Sequence, residues 1–268
     1  MTGALIGALV GVAATAGATV VPQIAPPSAT PKYQPPPDLA GKPSTAPSTP
    51  ATVEPTPEPT ETPEPLRPSR PAAVFNTWAV SLSRTLNIPV VALESYAYAD
   101  WVLSQTRPTC KLQWTTLAGI GSVTSDHGRV GGAYLDAEGL PHPLVFGPAL
   151  DGLAGRVRVP DSDGGALDGN QTWDLAMGPM QLLPRMWRAS GVDGDDDGRA
   201  NPQDIDDAAL TAAYHLCSGN NPDLSVVATW KAAVNSYHNM ALNIDKVYGA
   251  AQQYGILSKD QRYPERRR

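Results

Sequence analysis

The chain has 268 residues, a formal net charge of −6 and 41% apolar residues, so no basic excess favours binding to nucleic acid. Of its 28 prolines, 17 lie between Pro22 and Pro71. About 190 residues follow this segment, enough for one domain with a single core. We therefore expect a folded domain at 73–258 and a short, solvated basic tail at 259–268.

The first element is an uncharged stretch at residues 4–21, ALIGALVGVAATAGATVV. Its 18 positions approach the roughly 20 residues that a membrane-crossing helix needs. The segment 1–21 therefore predicts an export signal or a membrane anchor, and so an exported protein tethered to the membrane. A cleaved signal, an uncleaved anchor, an incorrectly assigned start codon and a buried helix of the folded domain are the alternatives.

The second element, residues 22–72, is rich in Pro, Thr and Glu and almost lacks aromatic and branched apolar residues. Such a segment buries too little surface to offset its chain entropy, so it predicts a disordered linker. Closely spaced prolines favour an extended polyproline II spacer, which suits a protein that works inside a cell wall. A ligand for a proline-binding domain is the alternative.

The folded part predicts a mainly α domain, because apolar residues recur at helical intervals. An irregular stretch at 129–173, rich in Gly, Asp and Pro, separates the helices, and loops of that length are usually functional. Within it, VRVP at 157–160 favours a short strand. The predicted helices are 73–86, 89–106, 113–125, 178–189, 205–217, 225–238 and 240–254.

The two cysteines, Cys110 and Cys217, each lie at the boundary of a predicted helix. If the protein is exported, a disulfide closing a loop of about a hundred residues is predicted, with a contribution on the order of 4 kcal/mol. Two buried free thiols are the alternative.

The stretch DGDDDGRANPQD at 193–204 fits the twelve-position calcium loop. Oxygen ligands clustered in this way repel one another without a cation, so the stretch predicts a structural Ca²⁺ site. The final position carries Asp in place of the usual Glu, which loosens the site, and an acidic turn that binds nothing is the alternative. The predicted ligands are Asp193, Asp195, Asp197, the carbonyl of Arg199, Asn201 and Asp204.

Three further stretches carry polar groups at predicted helix ends: LAGIGSVTSDHG at 117–128, MGPMQLLPRMW at 177–187 and NSYHNM at 235–240. The second places Gln181 in the first turn of a helix, where its side chain can reach an adjoining cleft. Each of the last two alone favours helix packing and capping over a binding site.

Taken in order with the acidic loop, these motifs resemble the lytic transglycosylases of the membrane-bound B type in their actinobacterial form. The resemblance covers residues 110–255 and implies a lysozyme-like helical fold of the goose type. It also implies cleavage of the bond between N-acetylmuramic acid and N-acetylglucosamine in peptidoglycan, leaving a 1,6-anhydro end. Carried onto this sequence, it implies glycan contacts at Ser125, His127, Met180, Gln181, Tyr237, His238 and Asn239.

The catalytic position departs from that family. The family's pattern resembles GxxESxHG, in which the glutamic acid protonates the leaving oxygen and later removes a proton from the attacking 6-hydroxyl. Alignment of GIGSVTSDHG places Thr124 at the glutamate position, and a threonine hydroxyl does not titrate in the useful range. His238 likewise replaces the asparagine that follows tyrosine in the family's last motif, and Asn239 comes next.

Other carboxyl groups were considered as the missing acid. Asp126 is nearest along the chain, although a helix cap is its simpler role. Glu94 belongs to an earlier helix and Glu138 to the long loop, so the sequence brings neither to the site. Two hypotheses follow: an enzyme in which a carboxyl such as Asp126 substitutes for the glutamate, and a binding module that holds glycan without cleaving it. Further candidates in the loop, where turn formation is the simpler role, are Asp161, Asp163 and Asp168.

Overall fold

The computed structural model describes residues 70–219, 222–237, 244–259 and 261–264. The predicted anchor at 1–21, most of the predicted linker, and the candidate contacts His238 and Asn239 lie outside the described residues. Within the described ranges the protein is mainly helical, which confirms the predicted fold class. None of the helices described is both long enough and apolar enough to cross a membrane.

The described residues form seven α-helices and one short hairpin. The helices are α1 Asn76–Leu86, α2 Val90–Thr106, α3 Trp114–Ser125, α4 Pro184–Ser190, α5 Ile205–Leu216, α6 Val227–Tyr237 and α7 Ile244–Leu257. The antiparallel hairpin pairs strands β1 Tyr134–Leu135 and β2 Pro141–His142. Short 3-10 turns occupy Pro71–Phe75, Pro108–Cys110 and Val130–Gly132.

Helix α3 lies in the core because almost all of its residues are apolar or small. It packs against α7, while α2 packs against α5, α1 and α3. Gly119 permits the close approach of α3 to α7, since a Cβ atom there would lie 2.8 Å from the carbonyl oxygen of Val247. The apolar run at 117–121 thus places the C-terminal end of α3 beside other core elements.

Local sequence signals fix the ends of the early helices. Asn87 adopts a left-handed conformation with φ of 54° and terminates α1, and Pro89 precedes the first residue of α2. Asp126 terminates α3 in the same conformation, with φ of 51°. Left-handed caps of this kind are tolerated by Asn and Asp more readily than by most side chains. The predicted boundaries of these three helices therefore agree closely with the structure.

Cys110 and Cys217 form a disulfide, as one of the two alternatives predicted. Their Cα atoms lie 5.6 Å apart across a sequence separation of 107 residues. The bond joins the turn before α3 to the C-terminal end of α5. A loop of this length constrains the unfolded chain by about 4 kcal/mol in the chain-entropy description.

Both boundaries of the predicted folded domain require extension. Arg70 forms ion pairs with Glu94 and Asp206, and the 3-10 turn beginning at Pro71 starts inside the segment assigned to the linker. At the other end, Tyr263 of the predicted basic tail is buried and its ring packs edge-on against Phe75, with centroids 4.8 Å apart. The folded unit thus includes residues from 70 and reaches Tyr263.

The irregular stretch is organised differently from its prediction in three places. The helix predicted at 178–189 begins only at Pro184, because residues 177–182 form a tight turn closed by a Met177–Leu182 bridge. The strand predicted at 157–160 consists of isolated bridges at Arg158 and Pro160. The hairpin of β1 and β2 was not predicted, since strands of two residues carry no measurable alternation.

Candidate functional site

Three of the sequence motifs meet at the C-terminal end of α3. The Ser125 hydroxyl donates a hydrogen bond to the carbonyl oxygen of Pro179 and accepts one of 2.8 Å from the N–H of Gly128. The Tyr237 hydroxyl, at the end of α6, donates to the carbonyl oxygen of Met180 over 2.8 Å. The segments 117–128 and 177–187 and the described residues 235–237 therefore form one contiguous region.

Thr124 is partly exposed, whereas Ser125 and His127 beside it are buried. Its hydroxyl donates a 2.8 Å hydrogen bond back to the carbonyl oxygen of Ile120, one turn earlier in α3. This bond satisfies the hydroxyl proton within the helix. Position 124 is accessible from outside the core, and the group that occupies it has no acidic proton to deliver.

Asp126 faces solvent and has a cationic partner. Its side chain is 59% exposed, and its carboxylate forms a 2.8 Å ion pair with the Arg129 guanidinium. Arg129 also donates to the carbonyl oxygen of Asn87, so its guanidinium bridges the ends of α1 and α3. A general acid in a glycosidase is usually held in an apolar pocket, and the surroundings of Asp126 differ from that arrangement.

His127 is buried between two tyrosines. Its Nδ1 atom lies 3.1 Å from the hydroxyl of Tyr96, and its Nε2 atom lies 2.9 Å from the hydroxyl of Tyr254. Burial, with a contribution from the charge of Arg129, lowers the pKa of His127 to about 3. The imidazole is therefore neutral at physiological pH and holds α2, α3 and α7 together.

Three of the predicted glycan contacts, Ser125, His127 and Met180, are buried in the folded unit, and their contact with glycan stays a prediction. Each side chain is at most 1% exposed, and the two polar ones already bond to protein groups, so packing is their role in this structure. Tyr237 is also 1% exposed, and burial raises the pKa of its hydroxyl well above the ordinary value. These four buried residues nevertheless belong to the region around position 124 and support it structurally.

Gln181 lies in the tight turn before α4, and not in the first turn of a helix as predicted. Its backbone has a φ of 52°, and its side-chain amide donates a 3.0 Å hydrogen bond to the carbonyl oxygen of Gly178. A Cβ atom at Gly147 would lie 2.7 Å from the Gln181 Oε1 atom, so the side chain folds against the loop. Only 8% of Gln181 is exposed.

Residues 164–266 match the family model described as a transglycosylase SLT domain. This part of the chain is therefore similar to transglycosylase SLT domains. The match includes the turn at Gln181, the acidic loop at 193–204 and Tyr237, and it supports the lytic transglycosylase family. None of the curated proteins and none of the solved structures compared with the chain gives a match.

Position 124 lies before the matched residues, yet the Ser125–Pro179 hydrogen bond joins the matched part to α3. The two glutamates of the folded unit lie elsewhere. Glu94 is buried in α2, where it bonds to Arg70 and to the Asn76 amide over 2.7 Å. Glu138 is exposed in the turn between β1 and β2.

The three loop aspartates considered as substitute acids serve as turn-formers. Asp161 accepts backbone hydrogen bonds from residues 163–165, and Asp163 accepts from Gly165 and Leu167. Asp168 is buried and accepts from the N–H groups of residues 170 and 175. Hydrogen bonds from backbone N–H groups stabilise the ionised carboxylate, so these contacts favour the structural role.

The acidic loop at 193–204, together with the start of α5, gathers carboxylate oxygens in two overlapping groups. In each group the oxygens lie within 4.8 Å of one another, a spacing that a cation can bridge. Asp195 belongs to both. Among the described residues, the buried Asp193 Oδ1 atom has no hydrogen-bond partner. A carboxylate oxygen that binds a metal ion is expected to lack a hydrogen-bond partner in the protein. The groups are Asp193, Asp195 and Asp197, and Asp195, Asp204 and Asp206.

Backbone hydrogen bonds hold the loop in this shape. The N–H of Gly198 donates to Asp193 Oδ2 over 2.9 Å, and the N–H of Arg199 donates to Asp197 Oδ1 over 2.7 Å. Asn201 Oδ1 accepts from the N–H of Gln203, so this predicted ligand is engaged in a local turn. The residues present thus fit a hard cation at Asp193, Asp195 and Asp197, with Asn201 as the weakest of the predicted ligands.

Burial and mutual repulsion favour protonation in this loop. Burial, supplemented by the charge of Asp206, raises the pKa of Asp204 to about 8. Burial raises the pKa of Asp207 to about 7 and that of Asp195 to about 6, with neighbouring carboxylates contributing. The raised pKa values indicate that cations of the protein do not fully balance the negative charge of these carboxylates.

Sequence reasoning missed Asp206 and Asp207. Asp206 shares the second group of oxygens, and Asp207 accepts hydrogen bonds from the N–H groups of Gly194 and Asn201, which close the loop. The run DIDD at 204–207 was the available signal, because acidic residues are favoured in the first turn of a helix and here follow directly on the loop.

Proposed function

We propose that this chain is a peptidoglycan-directed protein of the lytic transglycosylase family, of the membrane-bound B type in its actinobacterial form. It engages glycan strands, and its cleavage of the N-acetylmuramic acid to N-acetylglucosamine bond is impaired because Thr124 replaces the catalytic glutamate. The supporting observation is the accessible Thr124 at the point where three family motifs meet, with its hydroxyl bonded to Ile120.

The chemistry at that point is limited by proton transfer. Family cleavage needs one group that first donates and then accepts a proton, which typically contributes a factor of about 10² to 10⁴ to the rate. Thr124 cannot supply it, and Glu94 is committed to Arg70 and Asn76. The binding surface for the glycan does not depend on this proton.

A non-catalytic protein that holds or organises glycan strands is the second candidate. The exposed Asp126–Arg129 pair favours it over an enzyme with Asp126 as a substitute acid, because the general acid of a glycosidase is typically enclosed in an apolar pocket and Asp126 lies at the surface. Both candidates require glycan binding, and turnover distinguishes them.

The test uses purified peptidoglycan sacculi in two assays. Sedimentation with sacculi should retain the protein, while mass spectrometry should detect at most a trace of 1,6-anhydromuropeptides, well below an active family member at the same concentration. Failure to sediment would contradict glycan engagement. Product at the level of the active enzyme would contradict the proposed impairment.

A structural calcium ion in the acidic loop is part of the proposal. Asp193, Asp195 and Asp197 would hold it, with the Arg199 carbonyl, Asn201 and Asp204 as further ligands. When bound, the ion would supply positive charge that offsets the repulsion among the carboxylates. The loop leads into α5 through Asp204, whose side chain accepts from the N–H of Asp206, so an ordered loop also fixes the start of that helix.

Calcium is expected to raise the thermal unfolding midpoint of the folded unit by about 5–10 °C at a concentration 100 times its Kd. Asp193→Asn should remove most of the rise, because the partnerless Oδ1 atom is lost as an anionic ligand. Asp245→Asn, at an exposed position of α7, should leave it intact. Scanning calorimetry with calcium and with a chelator measures both effects.

The pH dependence provides an independent check on the same site. The raised pKa values of Asp195, Asp204 and Asp207 lie above the unfolded value of about 3.8, so without calcium they contribute stability at low pH that is lost as pH rises. Without calcium, the midpoint should fall from pH 5 to pH 8, and calcium should flatten this slope. A slope unchanged by calcium would contradict the site.

Export and tethering complete the proposal. The uncharged segment 4–21 would direct the chain out of the cell or anchor it in the membrane, and the linker would place the folded unit within the cell wall. A disulfide such as Cys110–Cys217 persists in oxidising compartments, which supports an exported location.

A further inference from the structure

The hairpin after α3 presents an exposed aromatic ring beside an imidazole. Tyr134 is 61% exposed, and among the large apolar and aromatic side chains in the described part of the chain only Ile256 and Leu153 are more exposed. Tyr134 and His142 are direct cross-strand partners. Their ring centroids lie 5.5 Å apart with an interplanar angle of 34°, so the two rings form a slightly tilted, continuous surface.

A carboxylate fixes this surface in place. Asp136 Oδ2 lies 2.6 Å from His142 Nε2, while Asp136 Oδ1 accepts hydrogen bonds from the N–H groups of Leu140 and Glu138. Burial alone would raise the pKa of Asp136, but the hydrogen bond from His142 and those from the backbone outweigh it and lower the pKa. The imidazole is therefore oriented before any ligand arrives.

The same hairpin contacts both the C-terminal end of α3 and the first residue of α5. Leu135 packs against Gly128, where an added Cβ atom would lie 2.9 Å from the leucine methyl group. At the turn of the hairpin, the carbonyl oxygen of Gly139 accepts a 3.1 Å hydrogen bond from the N–H of Ile205, the first residue of α5. The rings thus belong to a rigid element between the end of α3 and the end of the acidic loop.

We propose that Tyr134 and His142 form a stacking platform for one N-acetylhexosamine ring of the glycan, on the hairpin that follows α3. The inference rests on the proposed function and adds a binding position outside residues 164–266, the part that matches the SLT family. A pyranose ring has an apolar face of C–H groups and a polar rim. The platform offers the matching pattern, an aromatic face bordered by the Tyr134 hydroxyl, the His142 imidazole and the Asp136 carboxylate.

A sugar fits this surface better than a protein partner does. A protein interface usually needs a contiguous apolar patch of several hundred Å². The platform consists of two rings with polar groups at their edges, and Asp136 and Glu138 place carboxylates beside them. Exposed aromatic rings with fixed orientation lose little conformational entropy when a flat ligand covers them.

The test measures binding of chitotetraose and of soluble peptidoglycan glycan strands by titration calorimetry on the full folded protein. Tyr134→Ala should weaken the Kd about tenfold, and His142→Ala by a smaller factor, whereas Tyr134→Phe should stay within about twofold of the wild type because it keeps the ring. Leu153→Ala removes an equally exposed apolar side chain elsewhere in the long loop and should have no effect.

The outcomes separate this inference from the proposed function. Wild-type binding with an unchanged Kd in Tyr134→Ala and His142→Ala would overturn the platform and leave glycan engagement standing. Failure of the wild type to bind either probe would overturn both. Because Tyr134 and His142 are exposed, their variants should keep the wild-type unfolding midpoint, and a weaker Kd at an unchanged midpoint is the supporting result.

Discussion

Thr124→Glu is expected to release 1,6-anhydromuropeptides from sacculi at least about 100-fold faster than the wild-type protein, the lower range for a positioned general acid. The position lies at the end of a buried helix and is partly exposed, and the hydrogen bond of its neighbour Ser125 to Pro179 connects this helix end to the turn that Tyr237 holds through Met180. A glutamate there would extend past the helix surface, and loss of the Thr124–Ile120 hydrogen bond costs little at a helix end.

The electrostatic surroundings also favour a proton-carrying glutamate at position 124. His127 is neutral because burial lowers its pKa to about 3, so it adds no positive charge. The nearest guanidinium, that of Arg129, is already paired with Asp126 and bonded to Asn87. A carboxyl group placed among apolar helix residues holds its proton to higher pH than one in water does.

Thr124→Gln is the matched control, since glutamine has the size of glutamate and no acidic proton. It should bind sacculi as the glutamate variant does and release no product. Asp126→Asn in the wild-type background examines the substitute-acid hypothesis, because residual turnover that disappears in this variant would assign the acid to Asp126. A silent Thr124→Glu variant that still binds glycan would show that the site lacks more than the acid.

The helices that frame this site were predictable because breakers mark their ends. Asn87 and Pro89 separate α1 from α2, and the Ser-Asp-His-Gly run after Thr124 ends α3. Local conformational preferences decide these boundaries, so a single sequence contains the information. The same holds for Asp204, whose position before Ile205 predicts a helix N-terminus and whose side chain caps α5.

The turn at Gln181 shows where local signals fail. Apolar residues at 180–187 favour a helix, but Met177 and Leu182 pair across a tight turn, and a Cβ atom at Gly178 would collide with the carbonyl group of Pro202. Helix α4 therefore begins only at Pro184. Contacts with a segment more than twenty residues away decide this conformation, and periodicity within the segment does not report them.

The burial of Ser125 and His127 could not be predicted for a related reason. In the sequence, a polar cluster at a helix end suggests a cleft. The residues that bury Ser125 and His127, however, come from distant parts of the chain: Pro179, Tyr96 and Tyr254. Within the cluster, Thr124 is partly exposed and Asp126 faces solvent. The placement of the site at position 124 stays a prediction, and the burial of Ser125 and His127 limits which side chains there can reach a ligand.

Arg70→Ala is expected to lower the free energy of unfolding by about 3–5 kcal/mol, the range for breaking a buried ion pair from one side. Arg70 donates to Asp206 Oδ1 over 2.9 Å, to Glu94 Oε2 over 2.8 Å and to the Ser95 hydroxyl over 3.1 Å. Its side chain is only 11% exposed, and both carboxylates are more deeply buried still. The variant leaves two buried carboxylates without their cation.

Urea unfolding followed by circular dichroism measures this loss, and Arg84→Ala at an exposed position of α1 is the control for removing one positive charge. Arg70→Lys should recover part of the stability, because lysine restores the charge but cannot form the two parallel bonds to Asp206. A loss below about 1 kcal/mol for Arg70→Ala would match an exposed pair and contradict the structural role assigned to the first residue of the folded unit. If the free energy of unfolding falls by the expected amount, the last residues of the predicted linker are required for folding. A truncated protein for binding studies must then begin before residue 70.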